Sequence, residues 1–209
     1  MAILDLDVSE RAGWTLADLA AACLDGGARL LQVRVKRGSS AAFLEVASRI
    51  VELAHAAGAI VVVNDRADIA RLSGAGGADG VHVGQDDLSP ADVRRVVGPD
   101  AVVGLSTHTL SQLQEAVAEP VSYVAIGPVF GTTTKETGYD RVGLERVREA
   151  AGITAPHRLP LVAIGGITLD TALAVIQAGA ATVAVISDLL ATGDPAARVR
   201  AYLARLSGA

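Results

Sequence analysis

Ile60-Val61-Val62-Val63-Asn64-Asp65-Arg66 is an unbroken apolar run that stops abruptly at an amide, a carboxylate and a guanidinium. A strand with one solvated face alternates apolar and polar residues. A run without alternation marks a strand covered on both faces, as in a parallel sheet flanked by helices. Leu30-Leu31-Gln32-Val33-Arg34-Val35-Lys36 and Gly80-Val81-His82-Val83-Gly84-Gln85-Asp86-Asp87 repeat the pattern of an apolar run with a polar end. Leu161-Val162-Ala163-Ile164-Gly165-Gly166-Ile167 and Thr182-Val183-Ala184-Val185-Ile186-Ser187 end in glycine or serine instead. The polar ends always follow the strand, so they collect on one side of the sheet.

Counting outward from these segments gives eight candidate strands: 2–6, 29–33, 60–63, 80–83, 101–105, 123–126, 161–164 and 182–186. Each is followed by a plausible helix. Thr15, Ser89 with Pro90, Thr109 with Gln112, and Thr168 read as helix starts, because a hydroxyl can accept an orphan N–H of the first turn. Gly26, Gly58 and Gly179 read as left-handed stops. Eight β-α units predict an α/β chain folded as a single-domain (β/α)8 barrel over residues 1–209, with its active site at the C-terminal ends of the strands. A doubly wound open sheet is the alternative architecture. Gly74-Ala75-Gly76-Gly77 is too short for a linker and reads as a loop.

Composition narrows the function. With 51% hydrophobic residues, a chain of 209 can bury a large core. Its apolar runs are too short to span a bilayer, and no export signal opens it. The single Cys23 sits in an apolar helical pattern and reads as a packed thiol, so a cytoplasmic protein is expected. A net charge of −5 and 3% aromatic residues argue against nucleic acid. Small molecules are the expected partners, and the apolar barrel helices would suit a homo-oligomer, although no sequence feature assigns one.

Any anion site must therefore be built locally. Gly127-Pro128-Val129-Phe130-Gly131-Thr132-Thr133-Thr134-Lys135 offers hydroxyls, backbone N–H groups and an ammonium where a strand should open into solvent. The irregular stretch from Gly131 to Val142 has the length of a lid. Asp65 and Asp87, at neighbouring strand ends, suit a hard divalent cation such as Mg2+, although Asp86 could exchange roles with Asp87. Gly165-Gly166 before Thr168, and Ser187 after the last strand, match the place where barrels of this kind bind phosphate. The four histidines form no nucleophilic constellation, and His82 reads as a satisfied packing residue.

The motifs Gln32-x-Arg34-x-Lys36, Asn64-Asp65-Arg66, Asp79-Gly80-Val81-His82-x-Gly84-Gln85-x-Asp87, Gly104-x-Ser106-x-His108, Gly127-Pro128, Thr132-x-Thr134-Lys135, Ile164-Gly165-Gly166-Ile167 and Ile186-Ser187 follow one another in this order. As an ordered set they resemble the thiamine phosphate synthase family. The resemblance implies a transferase that joins a hydroxymethylpyrimidine diphosphate to a thiazole phosphate with Mg2+, releasing diphosphate. It implies pyrimidine contacts at Gln32, Val33, Arg34, Val35, Lys36, Asn64, Ser106 and Lys135. Thiazole phosphate contacts would fall at Thr132, Thr133, Thr134, Gly166, Ile186 and Ser187, and metal ligands at Asp65 and Asp87. Lys135, Lys36 and Ser106 form the implied catalytic set.

This chain departs from the family pattern at Val35, where an acid is usual and whose loss should cost its basic neighbours a charge partner. It departs also at Gly131, often a proline, and at Ile3 or Leu4, near which an aromatic residue is usual. The alternatives are a thiazole tautomerase of the same fold, disfavoured by Pro128 where that subfamily has a histidine, and a barrel that binds phosphate ligands without turnover.

Overall fold

The structure, a computed structural model, describes residues 1–131 and 140–207. Strands β1 (Ala2–Asp5), β2 (Leu30–Arg34), β3 (Ile60–Asn64), β4 (Gly80–Val83), β5 (Val102–Thr107), β6 (Tyr123–Ile126), β7 (Leu161–Ile164) and β8 (Thr182–Ala184) pair in parallel in sequence order. A bridge between Ala2 and Val185 returns β8 to β1. Ile3 N donates to Val185 O at 2.9 Å and Val185 N to Met1 O at 3.1 Å. This closure selects the (β/α)8 barrel over the open sheet, which would leave two edges unpaired.

The outer layer comprises α1 (Leu6–Arg11), α2 (Leu16–Asp25), α3 (Ser40–Ala56), α4 (Ala67–Leu72), α5 (Pro90–Val97), α6 (Leu110–Ala116), α7 (Gly143–Thr154), α8 (Leu169–Gln177) and α9 (Pro195–Leu206). Thr15, Ser89 and Thr109 accept the third amide of their helices at 3.1, 3.1 and 3.2 Å, and Thr168 forms a capping box with Thr171. Gln112 does not complete a box with Thr109; its side chain accepts from His108 N at 2.8 Å. Leu6, expected to end the first strand, opens α1, because Asp5 accepts Val8 N at 3.0 Å as its cap.

Gly58 and Gly179 have positive φ as expected, but Gly26 is right-handed at φ −69° and the left-handed residue is Gly27. Gly26 answers a different constraint. A Cβ there would lie 2.6 Å from Ala196 O, so the glycine lets α9 lie against the end of α2.

Side chains alternate between two cores. Leu4, Leu31, Val33, Val61, Val63, Val81, Val83, Val103, Val124 and Ile126 face the helices and are buried there. Ile3, Tyr123, Ala125, Val162 and Ala184 form a smaller cluster inside the barrel. The interior is narrow: a Cβ at Gly80 would meet Val102 O at 1.8 Å, a backbone atom that cannot turn aside. Gly80→Ala should therefore cost more than about 3 kcal/mol in a chemical unfolding titration, since overpacking against backbone leaves no rotamer to relax. Gly76→Ala meets nothing within 4 Å and has no left-handed φ; it should leave stability unchanged or raise it by a few tenths of a kcal/mol. Equal effects from the two changes would sink this account of the interior.

Candidate active site

The two-residue period of β2 and β3 decides which predicted side chains share the barrel mouth. Gln32 and Arg34 sit on the interior parity and Lys36 continues it, whereas Val33 is fully buried among helix-facing residues and Val35 packs against the same outer core. The side chains of Val33 and Val35 thus point away from the mouth. Asn64 ends β3 as a buried polar residue, 7% exposed. Asp65 follows with φ +64°, a left-handed conformation uncommon outside glycine but tolerated by aspartate. Its amide donates to His82 O at 2.8 Å, which holds the turn against β4.

The mouth is a set of paired charges. Arg34 bonds Asp5, Lys36 bonds Asp65, and Arg37 bonds Asp7 and Glu10. Val35 offers its basic neighbours no charge, and the acids that pair with them arrive from β1, α1 and the turn after β3. Burial raises the Asp65 pKa; the Lys36 ammonium pulls it back, and the adjacent Asp87 carboxylate pushes it up again. Asp87 also accepts Gly84 N at 2.8 Å, so its loop is fixed to the end of β4.

Two adjacent carboxylates, that of Asp65 bonded to Lys36 and that of Asp87 accepting Gly84 N, form an oxygen donor set that fits a hard divalent cation, for which one or two carboxylates suffice. Among the described residues no group of three or more His, Cys, Asp or Glu gathers at one point.

Below the mouth, His82 is 7% exposed and is satisfied on both sides. Its Nδ1 lies 2.8 Å from the Tyr123 hydroxyl and its Nε2 lies 2.8 Å from Ser106 Oγ. The His82 and Tyr123 rings stack with centroids 5.4 Å apart. Gln32, expected at the mouth, is 3% exposed and lies deeper, against Met1 Sδ and Tyr123. Gln85 donates to Ser106 O at 2.6 Å, and His108 Nδ1 lies 2.6 Å from Gly127 O.

Beyond Ser106 the mouth opens into a cavity of about 720 Å³ walled by the ends of β5 to β8. Gly165 (φ +99°) and Gly166 (φ +63°) turn the chain here. Their lack of a side chain is imposed by the protein itself: a Cβ on Gly166 would lie 2.4 Å from Gly131 O, and one on Gly165 would lie 2.6 Å from Pro128 Cα. A bulky substitution at Gly166 would displace the segment after β6 whether or not a ligand binds.

Ile186 lines the cavity beside the interior cluster, and Ser187 opens a short 3-10 helix, Ser187–Leu190. Asp188 of that turn accepts Leu169 N at 3.1 Å, Arg198 Nη2 at 2.8 Å and the Tyr202 hydroxyl.

Thr132, Thr133, Thr134 and Lys135, with most of the expected lid, lie outside the described residues. The remaining expected contacts divide between the two halves of the mouth, with Ser106 at their junction. Two polar residues of this layer are not among the sequence candidates. Asp5 stands near the end of the first apolar run, whose strand stops one residue sooner than the sequence predicts, and Tyr123 carries no sequence signal beyond being an aromatic residue in a chain with 3% of them. His82 is the satisfied, packed residue that the sequence predicts.

A closed (β/α)8 barrel with a cluster of ion pairs at the C-terminal ends of its strands, a paired-carboxylate corner and an adjoining cavity has the build of an enzyme that handles small anionic ligands. The family model described as thiamine monophosphate synthase matches residues 6–189. A thiamine-phosphate synthase of Koribacter versatilis is 47% identical over 90% of this chain and 85% of its own length. One from Anaeromyxobacter dehalogenans is 45% identical over 87% and 80% respectively. The solved thiamine phosphate pyrophosphorylase from Pyrococcus furiosus superposes with a TM-score of 0.86 at 26% identity, covering 99% of this chain and 94% of that one. The chain belongs to the thiamine monophosphate synthase family and is a transferase of thiamine biosynthesis. No helix among the described residues is long and apolar enough to cross a membrane.

The raised Asp65 pKa gives a signed expectation. A group whose folded pKa stands above its unfolded one contributes stability that is complete below the unfolded pKa and is lost as pH rises through the folded pKa. Replacing it by Asp65→Asn removes that dependence. The stability of the variant relative to wild type should therefore climb across the window just above the ordinary aspartate pKa and level off beyond it. Urea titrations from about pH 3 to about pH 7 would read this, and a flat difference would contradict the assigned electrostatics.

Proposed function

We propose that the chain works as one cytoplasmic barrel domain, joining a hydroxymethylpyrimidine diphosphate to a thiazole phosphate to form thiamine phosphate and free diphosphate. Family membership supports the overall reaction. The observation carrying the site assignment is the corner where Lys36 bonds Asp65 beside Asp87, facing the same mouth as the cavity bounded by Ser106 and Ser187.

The bond between the pyrimidine methylene and the diphosphate oxygen breaks, and its electron pair leaves on diphosphate. The electron-rich aminopyrimidine stabilises the resulting cation, and the thiazole nitrogen lone pair then forms the new C–N bond. No protein nucleophile is required. The residues must hold two substrates in line and favour the charge that gathers on the leaving group.

In this reading Lys36 and Lys135 meet the diphosphate, Asn64 and Ser106 orient the pyrimidine half, and Gln32 supports it from below. Arg34 holds the mouth through Asp5. Thr132, Thr133, Thr134 and the backbone at Gly166, Ile186 and Ser187 receive the thiazole phosphate. Asp65 and Asp87 would hold Mg2+, which when bound supplies positive charge to diphosphate oxygens. Pro128 in the position of the tautomerase histidine supports the synthase over the isomerase.

Chelation should abolish diphosphate release reversibly, and Asp87→Ala should lower kcat far more than it lowers Tm; full turnover in excess chelator would refute the metal role. Lys135→Ala should cost on the order of 10²-fold in kcat, as loss of one charge-stabilising donor does. Lys135→Arg should recover only part of it, because a planar fork does not reproduce a compact ammonium. A Lys135→Ala enzyme within about threefold of wild type, under ~1 kcal/mol of barrier, would remove that lysine from the mechanism. Because the contact assigned to Ser187 is its backbone, Ser187→Ala should leave KM for the thiazole phosphate within about threefold of wild type, and a large rise in that KM alone would move the contact to the hydroxyl.

A further inference from the structure

We infer that Tyr123 is a positioning residue that acts through His82 to fix the Ser106 hydroxyl as a hydrogen-bond donor toward bound substrate. The inference rests on the reading of Ser106 as a substrate contact. It starts from Gly104, at the centre of β5, whose backbone needs no left-handed φ. A Cβ there would lie 2.1 Å from Tyr123 Cζ, 2.4 Å from the Tyr123 hydroxyl and 2.5 Å from His82 Nδ1. The glycine is the gap through which residues of β4 and β6 meet across the intervening strand.

The direction of the hydrogen bonds follows from counting protons. Tyr123 is 6% exposed, and burial raises its pKa, so the phenol keeps its proton. Gln32 acts on that phenol in the opposite sense to burial, as an amide donating to its oxygen does. The single O–H of Tyr123 is then left for the acceptor 2.8 Å away, His82 Nδ1. An imidazole that accepts at Nδ1 carries its proton on Nε2, and that N–H points at Ser106 Oγ, also 2.8 Å away. Ser106 Oγ therefore accepts from below, and its own proton is released upward. Ser106 borders the cavity, so the proton meets whatever acceptor lies there, a phosphate oxygen or a ring nitrogen. The reverse order, with Ser106 donating down to His82, would present a lone pair to an anionic ligand instead.

The tautomer can be read without turnover. In 15N-edited NMR of the unliganded enzyme, whose four histidines keep the spectrum simple, His82 should show an unprotonated Nδ1 and a protonated Nε2, and Tyr123→Phe should remove that preference. In steady-state assays Tyr123→Phe should lower kcat/KM for the pyrimidine diphosphate by roughly tenfold, the scale of one hydrogen bond. It should leave KM for the thiazole phosphate unchanged, which general loosening of the barrel would not do. The double variant with Ser106→Ala should be no worse than Ser106→Ala alone. A protonated Nδ1 in wild type, or losses that add in the double variant, would overturn the chain of hydrogen bonds. A silent Ser106→Ala with the expected tautomer would instead remove Ser106 from the substrate contacts, and the inference would fall with that reading.

Discussion

The interior of a closed eight-stranded barrel has room for few large side chains, and the rest of this structure depends on how that room is divided. Half the residues of every strand must point inward. Gly80 and Gly104 vacate two of those positions, and backbone from β5 and the His82–Tyr123 pair fill the space at distances that admit no Cβ. The layer this produces is polar at its centre yet satisfied, with no buried side-chain N or O lacking a partner among the described residues. It forms the floor of the mouth, so the site rests on a hydrogen-bonded platform, whose direction is specified, as well as on an apolar plug.

Above that floor the dominant constraint is charge. A chain of net charge −5 that handles anions must concentrate cations locally, and Arg34, Lys36 and Arg37 are each held by an acid from a neighbouring element. These pairings cost little affinity if they are exposed, since exposed ion pairs contribute little to stability. The Lys36–Asp65 pair is of that kind, with Lys36 well exposed; Arg34–Asp5 is not, at 13% and 3% exposure. The difference separates their duties. Lys36 can leave its partner to meet a ligand, and doing so exposes two adjacent carboxylates, the arrangement a divalent cation suits. Arg34 would strand the buried charge of Asp5 if it moved, so it is better fitted to hold the mouth open than to follow a leaving group.

Much of this was legible in the sequence because periodicity and strand-end polarity are local signals. The apolar runs located all eight strands, and their polar ends located the mouth. Hydroxyls before helical patterns located four caps. The misreadings concern facts that only closure creates. Val33 and Val35 lie within a contact motif, but the pleat turns their side chains outward. Gly26 looks like a helix stop and is instead the point where α9, distant in sequence, lies against α2. Tyr123 and His82 are separated by a whole β-α unit, and nothing in either local sequence says that a glycine on the strand between them lets them touch. Gly166 illustrates the converse: its motif suggests close approach of a ligand, whereas the approach observed is that of Gly131.

In the half of the mouth bounded by β5 to β8, one carboxylate occupies the entry of a helix. The first turn of α8 opens at the cavity, and its positive end would ordinarily attract an anion. Here the Asp188 carboxylate accepts Leu169 N and Thr171 serves Thr168 N, so the entry of α8 is already supplied with acceptors. Asp188 is held in turn by the Arg198 guanidinium and the Tyr202 hydroxyl of α9, and this pair is largely buried, at 10% and 17% exposure. A phosphate in the cavity therefore has to find its donors elsewhere. Among the described residues, the Gly165-Gly166 turn and Ser187 border the same space. The Asp188–Arg198 pair thus does two jobs: it pins α9 to the barrel, and it leaves Asp188 in place to accept the first amide of α8.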